Sequence, residues 1–340
     1  MKHTLLGALA ALALATFGGG TAQAGATLDG VKSRGVIACG VNVGVAGFSL
    51  PDSQGIWRGM DADLCRGVAA AVLGDPSKVR FVPLTAVQRF PALQSGEIDV
   101  LIRQTTLSMT RDTSLGMRLT TVNLYDGHGF IVRKDANVTN LRGMDGMTIC
   151  LSPGTTNEVV TADYFRSNNM RFTPLLIERM ADAATALQAG RCDSIGTDAT
   201  QLAALRSQFQ NTADWLILPE RISKEPYGPV VRRDDNEWFD VLRWTITALI
   251  QAEELGVTSQ NLTQMLASPN PDIRRLLGVD PVLGNALKLD PRWAYNAIRA
   301  IGNYGELFER TIGPRTPIGL ERGMNNLWTN GGLMYAWPMR

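Results

Sequence analysis

Residues 92–106 read "ALQSGEIDVLIRQTT", and residues 186–200 read "ALQAGRCDSIGTDAT". Each begins as the end of an amphipathic helix, passes a glycine and an aspartate, and enters an apolar run that gives way to polar residues. The glycine predicts a helix stop and the apolar run a buried strand. The two stretches are an internal echo and not a short tandem repeat, so the same local architecture is expected once in each half of the chain.

Working outward from the first copy, residues 36–39 read as a short strand before a polar, glycine-rich loop, and "GMDADLCRGVAAAVLG" (59–74) as a helix. "VRFVPL" (79–84) is a strand, "AVQRFPALQSG" (86–96) a helix and "EIDVLI" (97–102) a strand. Around the second copy the order is strand "GMTICLS" (146–152), helix "TNEVVTADYFRSNNM" (156–170), strand "FTPLLIE" (172–178), helix "MADAATALQAG" (180–190), strand "CDSIGTD" (192–198) and helix "ATQLAALRSQF" (199–209). Such alternation predicts an α/β fold with mainly parallel sheets flanked by helices, and ligands at the carboxyl ends of the strands. From about residue 235 the chain is mostly helical, and "NEWFDVLRWTITALIQAEELG" (236–256) carries an apolar stripe suited to covering the first lobe.

The opening "MKHTLLGALAALALATFGGGTAQAGA" has one lysine, an apolar run over 5–17 and the small-residue pattern Ala22, Gln23, Ala24, which predicts a signal peptide over residues 1–24. The expected product is an exported soluble protein. Removing Lys2 turns 33 basic and 32 acidic side chains into 32 of each, which argues against nucleic acid as a partner. Cys39, Cys65, Cys150 and Cys192 allow three pairings in an oxidising compartment, or four buried thiols. Their spacing matches no zinc pattern, and with His128 the one histidine left after cleavage, neither a metal site nor His-dependent hydrolysis is expected. No cofactor is expected either.

Three segments offer chemistry for one ligand type. In "RQTTLSMTRD" (103–112), Arg111 suits a carboxylate by paired charge-assisted hydrogen bonds, with the Thr106 hydroxyl as a further donor. In "SPGTTNEVV" (152–160), Thr155 and Glu158 fit a capping box, and the helix start with the Thr156 hydroxyl makes an anion site. In "CDSIGTDAT", Asp198 ends a strand, where it either accepts from an ammonium or caps the next helix. Arginine from one lobe with amides and an acid from the other describe a site for an α-amino-acid zwitterion. Arg103 reads as a solvent-facing arginine, with attraction of an acidic ligand side chain as the alternative.

Twelve segments, among them "GMDADLCR", "RFPALQSGEIDVL", "TTLSMTRDTSLG", "GTTNEV", "GRCDSIGTDAT", "ISKEPYGPVVR" and "GLERGMNNLWTNGGLMYA", give the chain a resemblance to the periplasmic polar amino-acid-binding proteins of ABC transporters, nearest to the general L-amino-acid-binding proteins of the Aap/Bzt type. The resemblance implies a two-lobed periplasmic-binding-protein fold joined by two hinge strands near 125–129 and 227–231. Residues 25–126 plus 230–340 would form lobe 1 with its helical C-terminal extension, and 127–229 lobe 2. It implies carboxylate binding by Arg111, Thr106 and Thr156, ammonium binding by Asp198, and ligand-facing positions at Gln104, Thr155 and Asn42. Asn42 replaces the aspartate of many basic-amino-acid binders, and Val45 and Ala86 replace their aromatic pair, so a broad range favouring polar or acidic L-amino acids is expected. With two lobes, pairing within each lobe, Cys39 with Cys65 and Cys150 with Cys192, leaves the cleft free to close. The implied protein is a periplasmic monomer that delivers its ligand to the permease subunits of an inner-membrane ABC transporter and is not an enzyme. The rival is an exported dehydratase-like enzyme on the same scaffold, for which no general acid or base is evident.

Overall fold

The computed structural model describes residues 26–233 and 235–340; the expected signal peptide lies outside the described residues. Two five-stranded sheets carry the fold. In the first, the order is Val79–Leu84, Ile37–Asn42, Val100–Leu101, Val230–Arg232, Met117–Leu119. Its first two pairings are parallel and its last two antiparallel, so that Val230–Arg232 alone runs against the other four strands. In the second, the order is Thr173–Leu176, Thr148–Leu151, Ser194–Asp198, His128–Arg133, Trp215–Ile217, with the same sequence of parallel and antiparallel pairings.

The echoed stretches sit at the same place in the two sheets, each ending a helix and supplying the central strand. Gly96 and Gly190, at φ 79° and 70°, close the helices Arg89–Ser95 and Met180–Gln188 in the left-handed conformation that glycine adopts without steric cost. The aspartate that follows fastens the neighbouring strand. Asp99 Oδ2 accepts from Ala38 N at 2.7 Å while Asp99 N donates to Ala38 O at 2.8 Å. Asp193 Oδ2 accepts from Thr148 N at 2.8 Å while Asp193 N donates to Thr148 O at 2.8 Å. One residue type at one offset thus sets the register of the central strand pair in both lobes.

The strand Ile37–Asn42 is buried along its whole length, as a central parallel strand between helix layers must be. Cys39 is bonded to Cys65 on the helix Met60–Leu73, and Cys150 to Cys192, each within one sheet-and-helix unit. The helix Asn236–Glu254 and those after it share one core with the first sheet, through Trp238, Trp293 and Phe308. Trp238 Nε1 donates to Asp99 O at 2.9 Å, which ties this helix to the echoed stretch.

Two short antiparallel strands, Leu124–Asp126 and Glu225–Tyr227, cross between the sheets. The C-terminal segment braces the first of them. Asn325 Oδ1 accepts from Tyr125 N at 2.6 Å, Asn325 Nδ2 donates to Tyr125 O at 2.9 Å, and the Tyr304 hydroxyl donates to Asn123 O at 2.9 Å.

Candidate functional site

Asn42, Gln104, Thr106, Arg111, Thr155, Thr156 and Asp198, the seven residues expected at the site, all line one cleft between the two sheets. Asn42 is the last residue of its strand, and its Nδ2 donates to Gln104 Oε1 at 3.2 Å. Gln104 holds φ at 36°, a conformation that costs energy in a residue with a side chain, and its amide donates to the buried carboxylate of Asp61. Burial pushes the Asp61 carboxyl up to about 8, against the opposing pull of Arg103 and Gln104.

Arg111, beyond the end of the strand Val100–Leu101, sits in a six-residue helix, Met109–Ser114, whose N-cap Ser108 accepts from Arg111 N at 3.4 Å. Its Nη1 donates to Thr106 O at 2.9 Å, and its guanidinium lies over the Phe90 ring at 5.3 Å. Burial pushes its pKa down, partly offset by Glu225 and Asp198. Arg103 corrects the solvent-facing expectation: it is 7 % exposed, and Nε donates to Leu84 O at 2.8 Å. The strand Val100–Leu101 is shorter than the sequence suggests, and the turn after it swings Arg103 back into the cleft.

On the opposite wall Thr155 caps the helix Thr156–Ser167, accepting from Glu158 N at 3.3 Å. The expected capping box closes differently, because Glu158 Oε2 accepts from Gly154 N at 2.9 Å and not from the amide of the cap residue itself. Asp198 stands at the N-cap of the helix Ala199–Arg206 but makes no capping hydrogen bond. Its Oδ2 accepts from Gln201 Nε2 at 3.1 Å, while its Oδ1 has no partner among the described residues. Burial, reinforced by Asp126 and Glu225, pushes this carboxyl well above the usual carboxylate range.

Two participants escaped the sequence reading. Glu225, on the second crossing strand, accepts from the hydroxyls of Thr106 at 2.5 Å, Thr156 at 3.0 Å and Ser223 at 2.5 Å. The Thr106 and Thr156 protons are therefore directed at this carboxylate, which joins one wall of the cleft to the other. Arg89, 2 % exposed, also lines the cleft. Arg89 opens the helix Arg89–Ser95, which the sequence reading starts at residue 86, so no local signal marked it, and none marks Glu225.

Guanidinium groups on one wall and an unpartnered carboxylate oxygen on the other equip the cleft to hold a small molecule with both an anionic and a cationic end.

Residues 37–261 match the family described as bacterial extracellular solute-binding proteins, family 3. Over the full length of both chains the sequence is 48% identical to the general L-amino acid-binding periplasmic protein AapJ of Rhizobium johnstonii. It is 52% identical to the glutamate/glutamine/aspartate/asparagine-binding protein BztA of Rhodobacter capsulatus, over 97% of each chain. Among solved structures, an ABC transporter periplasmic binding protein from Brucella ovis with glutathione bound superposes with a TM-score of 0.90 at 48% identity, covering 92% of this chain and 99% of that one.

Proposed function

The chain belongs to the bacterial extracellular solute-binding proteins, family 3, and from that membership we propose that it captures L-amino acids, over a broad range with polar and acidic ones favoured, in the cleft between its lobes and hands them to an ABC transporter. Its family and its relatives are solute-binding proteins, which leaves the enzyme reading without support. The observation that carries the proposal is Asp198 Oδ1, a buried carboxylate oxygen without a partner among the described residues, opposite the Arg111 guanidinium. An α-ammonium at Oδ1 would supply the missing donor and draw the carboxyl back to its ionised form.

In this reading Arg111 grips the α-carboxylate, and the Thr106 and Thr156 hydroxyls turn to it from Glu225. Each hydroxyl has one proton, so ligand and Glu225 compete for it. Gln104, Asn42 and Thr155 shape the surrounding wall. Lobe 1 would comprise 25–126 and 230–340, and lobe 2 residues 127–229. Only the closed form engages the ligand from both lobes, so ligand shifts the population towards closure. The protein would act as a monomer in the periplasm and present the closed form to the permease subunits.

The test is a thermal-shift screen of the purified protein, stripped of co-purified ligand by partial unfolding, against the twenty L-amino acids, their D-isomers and their decarboxylated amines. Stabilisation by many L-amino acids and by none of the amines is expected. An unchanged midpoint with every amino acid would end the proposal.

A further inference from the structure

We infer that Asp126 is a positioning residue for the ammonium end of the ligand: it caps the helix Ala199–Arg206 in place of Asp198 and so leaves the Asp198 carboxylate free for the cleft. The inference rests on the amino-acid reading above and adds to it the reason why Asp198 is available.

Asp198 occupies the N-cap, from which an aspartate ordinarily accepts from the second or third amide of its own helix. Asp235 does so at the head of the helix Asn236–Glu254, accepting from Trp238 N at 3.1 Å. Asp198 makes no such bond. Instead Ala199 N donates to Gly127 O at 3.0 Å and Thr200 N to Asp126 Oδ2 at 3.0 Å, so the first two amides of the helix are served from the end of the first crossing strand. The Thr200 hydroxyl donates to the same oxygen at 2.5 Å, and Gly127 N to Asp126 Oδ1 at 2.7 Å. Burial pushes the Asp126 carboxyl up, and these donors oppose it.

The second crossing strand joins the arrangement through Tyr227, whose hydroxyl donates to Asp126 Oδ2 at 3.4 Å. Gln201 Nε2 reaches that hydroxyl at 3.5 Å and donates to Asp198 Oδ2 at 3.1 Å. Asp198 is thereby held through one oxygen, and Oδ1 is the one without a partner among the described residues. Without Asp126 the buried amide of Thr200 lacks its acceptor, and Asp198, two residues before it, is the side chain at hand. A carboxylate turned onto that amide no longer meets an ammonium in the cleft. Capping and ligand binding compete for one side chain, and Asp126 removes the competition.

Isothermal titration with L-glutamate and L-glutamine compares the wild type, Asp126→Ala and Asp126→Asn. Asp126→Ala should weaken binding by about fivefold or more, the scale of a capping interaction; a smaller loss overturns the inference. Asp126→Asn keeps an acceptor for Thr200 N and drops the charge, so its affinity should lie nearer to that of the wild type than to that of Asp126→Ala. The reverse order assigns the effect to charge and overturns the cap. In an Asp198→Ala background no carboxylate remains to be turned, so adding Asp126→Ala should weaken binding less than about twofold; a larger loss there means that Asp126 only holds the fold. The crystal structure of ligand-free Asp126→Ala should show an Asp198 oxygen within hydrogen-bonding distance of Thr200 N or Gln201 N, and an unmoved Asp198 overturns the inference. If Asp126→Ala does not fold, Asp126→Leu, which has the shape of the carboxylate, is read by the same criteria. If neither folds, the wild type crystallised with L-glutamate decides: Asp126 on Thr200 N with Asp198 on the ammonium is expected, and any other arrangement overturns the inference. A wild type that binds neither amino acid overturns the proposed function instead, and with it the premise of the inference.

Discussion

Asp198 and Arg111 are where a single atom decides most. If Asp198 Oδ1 meets the α-ammonium, Asp198→Asn should weaken amino-acid binding by roughly 2–5 kcal/mol, and Arg111→Met by a similar amount, since each leaves a desolvated charge on the ligand without its partner. Isothermal titration reads both, and near wild-type affinity removes that residue from the site. His128 makes a prediction of a different kind. Fully buried, with Nε2 3.0 Å from Thr161 Oγ1 and the Phe130 ring against it, it has its pKa pushed down to about 3 by burial. The folded protein keeps it neutral while the unfolded chain protonates near 6.5, so this stability is present above 6.5 and is lost as pH falls towards 3. Between pH 6.5 and 5 the wild type should lose about 2 kcal/mol more than His128→Gln, measured by urea unfolding at each pH. The residues legible in sequence, Arg111, Thr106, Thr156 and Asp198, were those whose local context announces a strand end or a helix start. Arg103, Arg89 and Glu225 were not, because burial and long-range partners decide their roles: Glu225 meets Thr106 across 119 positions of chain.

At the scale of elements, the echoed helix-glycine-aspartate-strand unit made the fold readable, since each of its signals is local. A glycine ends the helix, the aspartate bonds the adjacent strand, and the same offsets recur in both lobes. Strand lengths were less legible: the run expected over 97–102 yields a ladder of only two residues, because the backbone turns inward at Arg103. The two aspartates are not equal in cost. Ala38 N is buried and Thr148 N faces water, so Asp99→Ala strands a donor that Asp193→Ala leaves for solvent to satisfy. Asp99→Ala should destabilise by about 1–3 kcal/mol and Asp193→Ala by clearly less, compared through their urea midpoints.

For the whole molecule, each disulfide closes a loop inside one unit, over 26 and 42 positions of sequence. Replacing Cys150 and Cys192 together by alanine should cost roughly 3–4 kcal/mol by the loop-entropy argument. Because the second sheet's core clusters are distinct from that of the first sheet, which takes in Ala203 and Ala204 from across the crossing strands, scanning calorimetry should show most of the loss in one transition while the other stays in place. A uniform shift of both would mean that the lobes unfold as one. The bracing of the first crossing strand bears on what the second lobe is free to do. Asn325 occupies both backbone groups of Tyr125 that a third strand would use, so the ribbon is anchored to the C-terminal segment on its Leu124 side, while beyond it Asp126 and Gly127 bond to Thr200 and Ala199 of the second lobe. If the second lobe swings on ligand binding as proposed, this bracing would supply the fixed bearing of its axis. A swing about one axis would have one end point, so that ligands of quite different size would all leave the outer surface in the same shape.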